Sequence, residues 1–423
     1  MAEIFSSLLG RFSRSSNSAS LDSMKKENDS CEQPPVSEES NTNIATSANG
    51  TSDELDLAFC VDCTASMGAY IDSAQQNVRT IIQELSTKAN IATRFALVEY
   101  RDHPPEDSTF ITREHNFTDS LDNIQNSVNG MSAEGGGDGP ESVCCAYEKL
   151  LRLNWRESAT KVVVHIADAP PHGIEPSGDG FPNGCPSGND PLQKAHEMKN
   201  RNIVLYTVGC EPALGHYQFA RDFMVAVADI TGGQATTLTS AHLLPSVILH
   251  GSEEEIVLQR LQDQVKKEVV LEQDRCEREG VVFDLEVAKQ NVCHNLRSRG
   301  VKTKHMRTDQ RLHAPNASVF KAKASLRACR DSLPAVPATQ VQSRSRSRKK
   351  FGRSGRKAPK KVDFRCRERR SSDIMEACNF SADCETSYDL HDEEAVSTGA
   401  TKVDMETDDI SMEQVSRMMT RMY

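Results

Sequence analysis

Long apolar runs are missing from this sequence of 423 residues. No stretch approaches the about 20 apolar residues that span a bilayer, and no convincing secretory signal stands at the N-terminus. A membrane-spanning or exported chain is therefore not expected. Aromatic residues are scarce, with a single tryptophan. The most basic stretch has no aromatic platform beyond Phe351 and Phe364, so sequence-specific RNA reading is not expected. The 13 cysteines are odd in number and scattered, with no paired Cys-x-x-Cys zinc spacing. That usage suits a reducing compartment, cytoplasm or nucleus, better than a disulfide framework. A nucleophile-base constellation is also missing, so the chain is read as a binding protein rather than an enzyme.

What is present is unevenly distributed. The net charge of −11 hides a basic run and an acidic tail. Residues 1–52 are rich in Ser, Asn, Glu and Thr and read as a disordered tail, apart from an amphipathic patch at Ile4, Phe5, Leu8, Leu9 and Phe12. Regular apolar patterning occupies 53–262. A charged helical or linker region covers 263–342, a basic low-complexity run 343–370, and an acidic disordered tail with a terminal amphipathic helix 371–423.

Within 53–262, strand and helix patterns alternate. Strands are predicted at 54–61, 93–100, 108–114, 160–167, 202–209 and 234–238, and helices at 69–87, 118–130, 141–153, 190–200, 212–230 and 240–250. In the first helix Tyr70, Ile71, Ala74, Val78, Ile81, Ile82 and Leu85 recur at helical spacing. Such alternation implies an α/β fold, doubly wound and Rossmann-like, with a mostly parallel sheet and helices on both faces.

Two apolar strands end in aspartate. Leu55 to Val61 is followed by Asp62-Cys63-Thr64-Ala65-Ser66-Met67-Gly68, and Val162 to Ala167 by Asp168. Ligand sites in open α/β sheets lie outside the carboxyl ends of the strands. Asp62, Thr64 and Ser66 alternate with Cys63 and Ala65, so one loop can turn three oxygens towards a point. An all-oxygen set suits a hard divalent cation, Mg²⁺ or Mn²⁺.

This pattern resembles the von Willebrand factor type A domain and its metal-ion-dependent adhesion site, Asp-x-Ser-x-Ser, with Thr64 in place of the first Ser. The runs Phe95–Asp107, Gly135–Glu141, Ile166–Gly173, Gly178–Cys185, Leu205–Pro212 and Ile230–Gln234 resemble the subfamily found beside alpha-kinase catalytic domains. The resemblance covers 53–262. It implies Asp62, Thr64, Ser66 and Asp168 as metal ligands. The family's threonine loop reads Gly137-Asp138-Gly139-Pro140-Glu141 here, so Asp138 and Glu141 are the candidates for the remaining ligand; integrin β-subunits use a comparable Asp-x-Pro-Glu loop. The implied function is capture of a partner's Asp or Glu at the metal. No Gly-rich phosphate loop with a following Lys appears after residue 262, so the chain reads as the non-catalytic module, an accessory or kinase-dead relative in the alternative reading.

The remaining candidates lie outside this loop. The segment 169–189 carries His172, Asp179, Asn183 and Cys185, read as exposed loop residues with a second metal site as the alternative, and with His172 and Asp179 as partner contacts. Residues 251–290 read as a long, charged surface helix with Ile256, Leu258, Leu261, Val265 and Val269 at helical spacing, either docked on the domain or self-associating, as in a coiled coil. The basic run has fourteen basic and two acidic residues. Through Arg348, Lys349 and Lys350 it is read as a nuclear-import or weak nucleic-acid or acidic-protein patch, giving a nuclear scaffold as a further alternative. The terminal helix presents Met418 and Met419 as an adaptable partner face.

Overall fold

The computed structural model describes residues 53–87, 91–175, 178–309, 313–334 and 402–422. Six strands form the central sheet: β1 (Glu54–Asp62), β2 (Ala92–Tyr100), β3 (Thr112–Thr118), β4 (Thr160–Ala167), β5 (Ile203–Cys210) and β6 (Ala235–Leu238). Their order is β3-β2-β1-β4-β5-β6. Five run parallel, and β3 pairs antiparallel with β2 at the edge. Strands β4 and β5 are buried along their whole length, which is why they read as continuous apolar runs rather than alternating ones.

The two faces of the sheet bury different residues of the same strands, as the two-residue strand period requires. Leu55, Leu57, Phe59 and Val61 of β1 face one core, with Ile71, Ile81 and Ile82 of α1 (Gly68–Thr87), Ile124 and Val128 of α2 (Leu121–Asn129), and the start of a later helix, α6 (Leu244–Glu279). Ala58 and Cys60 face the other core. There they meet Tyr147 and Leu150 of α3 (Val143–Arg152), Leu192 and Met198 of α4 (Pro191–Asn200), and Phe223 and Val227 of α5 (Ala220–Thr231). Each fully buried Leu, Ile or Phe contributes about 1.5–3 kcal/mol. The sheet is thus doubly wound with helices on both faces. Strand order reverses between β1 and β4, so Asp62 and Asp168 emerge side by side at the topological switch point.

Some elements differ from the sequence reading. The edge strand β3 starts four residues later than expected, because Arg113 and Glu114 are exposed there and no apolar period marks it. Helix α6 (Leu244–Glu279) is continuous through Gly251, where the sequence suggested a break. A Cβ at Gly251 would lie 3.0 Å from the Tyr206 ring, so this glycine serves a close helix–sheet approach.

Residues beyond 262 add a third core. Leu258, Leu261, Val265 and Val269 of α6 pack with Val292 and Leu296 of α7 (Leu285–Ser298) and with Ile410, Val415, Met418 and Met419 around α10 (Met412–Thr420). Docking on the domain and self-association were both open for these α6 positions; in the structure this chain itself covers them. Strand β8 (Val403–Asp409) pairs antiparallel with β7 (Lys302–Thr308). Opposite charges suit that pairing: Lys302 meets Asp409 at 2.6 Å and Arg307 meets Glu406 at 3.4 Å. Acidic residues that the sequence suggested were a solvated tail thus complement a basic strand. Two short helices, α8 (Ala317–Lys321) and α9 (Leu326–Arg330), place Phe320 edge-on against Phe223. The N-terminal patch at Ile4–Phe12 and the basic run with Arg348, Lys349 and Lys350 lie outside the described residues.

Candidate metal centre

Strand β1 delivers Asp62, fully buried, to the sheet edge. Its Oδ1 accepts hydrogen bonds from the Thr64 backbone N–H at 2.9 Å and the Thr64 hydroxyl at 2.7 Å. Thr64 Oγ1 lies 3.5 Å from Ser66 Oγ, so the two hydroxyls and Oδ1 share one small region. A 3-10 turn at Ala65–Met67 then leads into α1. Strand β4 delivers Asp168, also buried. Glu141 is held against the same edge, its N–H donating to Pro170 O at 2.9 Å in a bridge just beyond Asp168. Gly136, with φ +78°, threads between Thr64 and Glu141; a Cβ there would sit 3.0 Å from Glu141 Oε1 and 3.2 Å from the Thr64 side chain. Only a residue without a side chain fits that approach.

The electrostatics are those of crowded, dry carboxylates. Burial, then the Asp168 charge, pushes the Asp62 carboxyl up to about 8. Burial, with the charges of Asp62, Asp102, Asp138 and Asp168 behind it, raises Glu141 far above the ordinary carboxylate range. Asp62 Oδ2 and Glu141 Oε2 are both buried without a hydrogen-bond partner. Buried polar atoms are normally satisfied, so these two oxygens call for a counterpart.

Residues 56–175 match the von Willebrand factor A domain family. Residues 56–175 are a von Willebrand factor A domain. The alpha-protein kinase vwkA of Dictyostelium discoideum is 34% identical over 137 residues, 32% of this chain and 22% of the relative. The putative ariadne-like RING finger protein R811 of Acanthamoeba polyphaga mimivirus is 29% identical over 195 residues, 44% of this chain and 18% of the relative. The chain thus spans about a fifth of the length of each of these relatives. Among solved structures, a von Willebrand factor type A protein from Catenulispora acidiphila aligns at 14% identity and TM-score 0.35, over 48% of this chain and 43% of that one. The proximal thread matrix protein 1 of the mussel byssus aligns at 16% identity and TM-score 0.34, over 49% and 47%.

Asp138 departs from the expected ligand set. It turns towards a second cluster, where its Oδ2 accepts from the Gly180 N–H and it groups with Asp102 and His172. Burial, with Asp102 nearby, raises the Asp138 carboxyl to about 7. His172 and Asp179, read as exposed, are both buried in this A domain. His172 Nε2 contacts Asp102 Oδ1 at 2.6 Å and its Nδ1 contacts Asp179 Oδ1 at 2.8 Å. Burial opposes the charged imidazole, yet these two carboxylates raise it to about 9. Asp179 also accepts from the Gly173 and Phe181 N–H groups, both at 2.7 Å. The pair ties the long loop down instead of presenting it to a partner. Met418 and Met419 are likewise fully buried against α6 and α7.

Asp102 and Arg101 were missed as site residues. Asp102 is buried at the end of β2 and accepts from the His103 N–H at 2.6 Å and the Ser142 hydroxyl at 3.2 Å, while its Oδ2 has no partner. Arg101 braces the metal loop, donating to Cys63 O at 3.0 Å and Ser132 O at 2.9 Å. The signal was available: three neighbouring strands, β1, β2 and β4, each end at or beside an aspartate.

The first cluster offers the donor types that suit a divalent cation. Three carboxylates and two hydroxyls make an all-oxygen donor set, two of its buried oxygens lack partners, and Gly136 keeps the approach open. Asp62, Thr64, Ser66, Glu141 and Asp168 are the residues that would hold it.

Proposed function

We propose that this A domain is a cation-dependent protein-interaction module that takes an Asp or Glu side chain from its partner at the Asp62 site. The observation that carries this reading is the pair of buried, unpartnered carboxylate oxygens, Asp62 Oδ2 and Glu141 Oε2, facing the switch point of the sheet. Mg²⁺ or Mn²⁺, when bound, would supply the positive charge that attracts an incoming carboxylate. Asp62 and Asp168 anchor the site from the rigid strand ends, Thr64 and Ser66 add hydroxyls from the loop, and Glu141 closes it from the Gly-rich side.

In this reading the domain binds its partner and catalyses no reaction. The likeness to a protein named as an alpha-protein kinase supports a second reading, an accessory module of such kinases. Labelled ATP with a generic phosphoacceptor separates the two, and no transfer is expected. Cytoplasm or nucleus is the proposed location, supported by the scattered, odd cysteine count.

Immobilised full-length chain should retain Asp- or Glu-bearing peptides from a defined library in Mn²⁺. EDTA or Asp62→Ala should release them. Retention unchanged by EDTA would remove the metal from the reading.

A further inference from the structure

Beside the oxygen site, three side chains of different chemistry converge from distant parts of the sequence. His103 Nε2 lies 3.4 Å from Cys145 Sγ and 3.4 Å from Cys185 Sγ, and the two sulfurs are 3.5 Å apart. Four donors around a tetrahedral zinc, at about 2.3 Å for sulfur and about 2.0 Å for nitrogen, are separated by roughly 3.5–3.8 Å. The triangle therefore has close to the edge lengths of one face of such a tetrahedron.

We propose that His103, Cys145 and Cys185 form a structural zinc site that staples the long loop after β4 to the first turn of α3 and to the end of β2. Thiolate and imidazole are the donors zinc prefers, and they discriminate against the Mg²⁺ that suits the neighbouring carboxylates and hydroxyls.

The backbone around each ligand is already fixed. His103 sits in a tight turn whose carbonyl accepts from the Glu106 and Asp107 N–H groups at 2.9 and 3.2 Å. Cys145 lies in the first turn of α3. Cys185 opens a turn closed by Gly188 N–H to its carbonyl at 3.0 Å. Supporting contacts are present as well: Asn189 Nδ2 donates to Cys145 Sγ at 3.7 Å, and the Phe181 ring stands edge-on to His103 at 5.8 Å.

A loop of this length without regular structure needs ties. The His172–Asp179 pair supplies one within the loop, and the metal supplies a second to α3. Binding displaces the thiol protons of the coordinating cysteines to solvent. The site is independent of the cation reading at Asp62, and the test keeps the two apart.

Full-length chain, purified reduced and without chelator, is assayed for metal by plasma mass spectrometry, then refilled with Co²⁺ and examined by absorption. The expected result is about one zinc per chain, and a Co²⁺ spectrum with thiolate charge-transfer bands and tetrahedral ligand-field bands. Both should be lost in Cys185→Ser and His103→Ala and kept in Asp62→Ala. The wild-type Co²⁺ spectrum needs no variant to fold. A folded, reduced wild type that takes up neither metal, or zinc retained in both ligand variants, would overturn the proposal.

Discussion

Asp62 holds one oxygen in hydrogen bonds to Thr64 and the other in a dry space without a partner. Such an atom costs about 1–3 kcal/mol when nothing satisfies it. Its raised carboxyl, about 8 against an ordinary 3.8, means the metal-free fold binds a proton that the unfolded chain releases. Metal-free stability should therefore fall as pH rises from about 4 through about 8. A cation competes with that proton, so its apparent affinity should weaken below about pH 8. Asp62→Asn should raise the metal-free melting temperature at alkaline pH while abolishing the cation-induced rise, which thermal melts with and without EDTA would read. His165 carries the opposite sign. It is buried between Tyr100 and Tyr147 hydroxyls at 2.9 and 3.0 Å, and burial pushes its imidazole down to about 3. The unfolded chain binds that proton first, so acidification from about pH 7 to about pH 5 should cost about 2 kcal/mol. The acid limb should flatten in His165→Gln; parallel limbs in denaturant titrations would contradict this. Asp62, Thr64 and Asp168 were legible because each lies within two residues of an apolar strand. His103 and Cys145 were not, since no local spacing links them to Cys185, which the sequence offered only as one of the candidates in the loop after β4.

At the scale of elements, strands buried on both faces were read within a residue or two, because nothing but a strand between two helical layers has that pattern. Helix α5 was placed too early, since Leu214–His216 is a separate 3-10 turn before it. The C-terminal pieces were read as a tail because β8 has no apolar alternation; charge pairing with β7 and the core beneath α10 decide its structure. Helix α10 begins with a capping box between Ser411 and Gln414. Its Arg417 is buried, 3.2 Å from Glu254, 3.3 Å from Glu255 and 3.1 Å from Gly232 O. Removing one partner of a buried ion cluster leaves the other charges stranded, so Arg417→Ala should cost about 3–5 kcal/mol. Met418→Ala, a cavity in the third core, should cost about 2–5 kcal/mol. Urea titrations measure both. Gly232 has φ +74°, and a Cβ there would meet Arg417 O at 2.7 Å, so Gly232→Ala should also weaken the docking of α10.

For the whole molecule, the A domain supplies a sheet whose strand ends gather carboxylates at one edge, and residues 257–301 with 410–422 build a third core beside it. The fold class, and four of the five residues proposed to hold the cation, followed from strand-then-aspartate logic and family likeness. Glu141 and Asp138 stood as alternatives, and the structure turns Glu141 to the Asp62 cluster and Asp138 to the His172 cluster. Removing 402–422 should bare the apolar faces of α6 and α7 and leave the chain prone to association, which light scattering would record. The most direct test of the central claim is calorimetric titration of Mg²⁺ and Mn²⁺ into the full-length chain near pH 8, beside Asp62→Ala and Asp168→Ala. The expected result is saturable binding in the wild type that both variants lose while remaining folded. A folded wild type that binds neither cation, or variants that bind as the wild type does, would contradict the account.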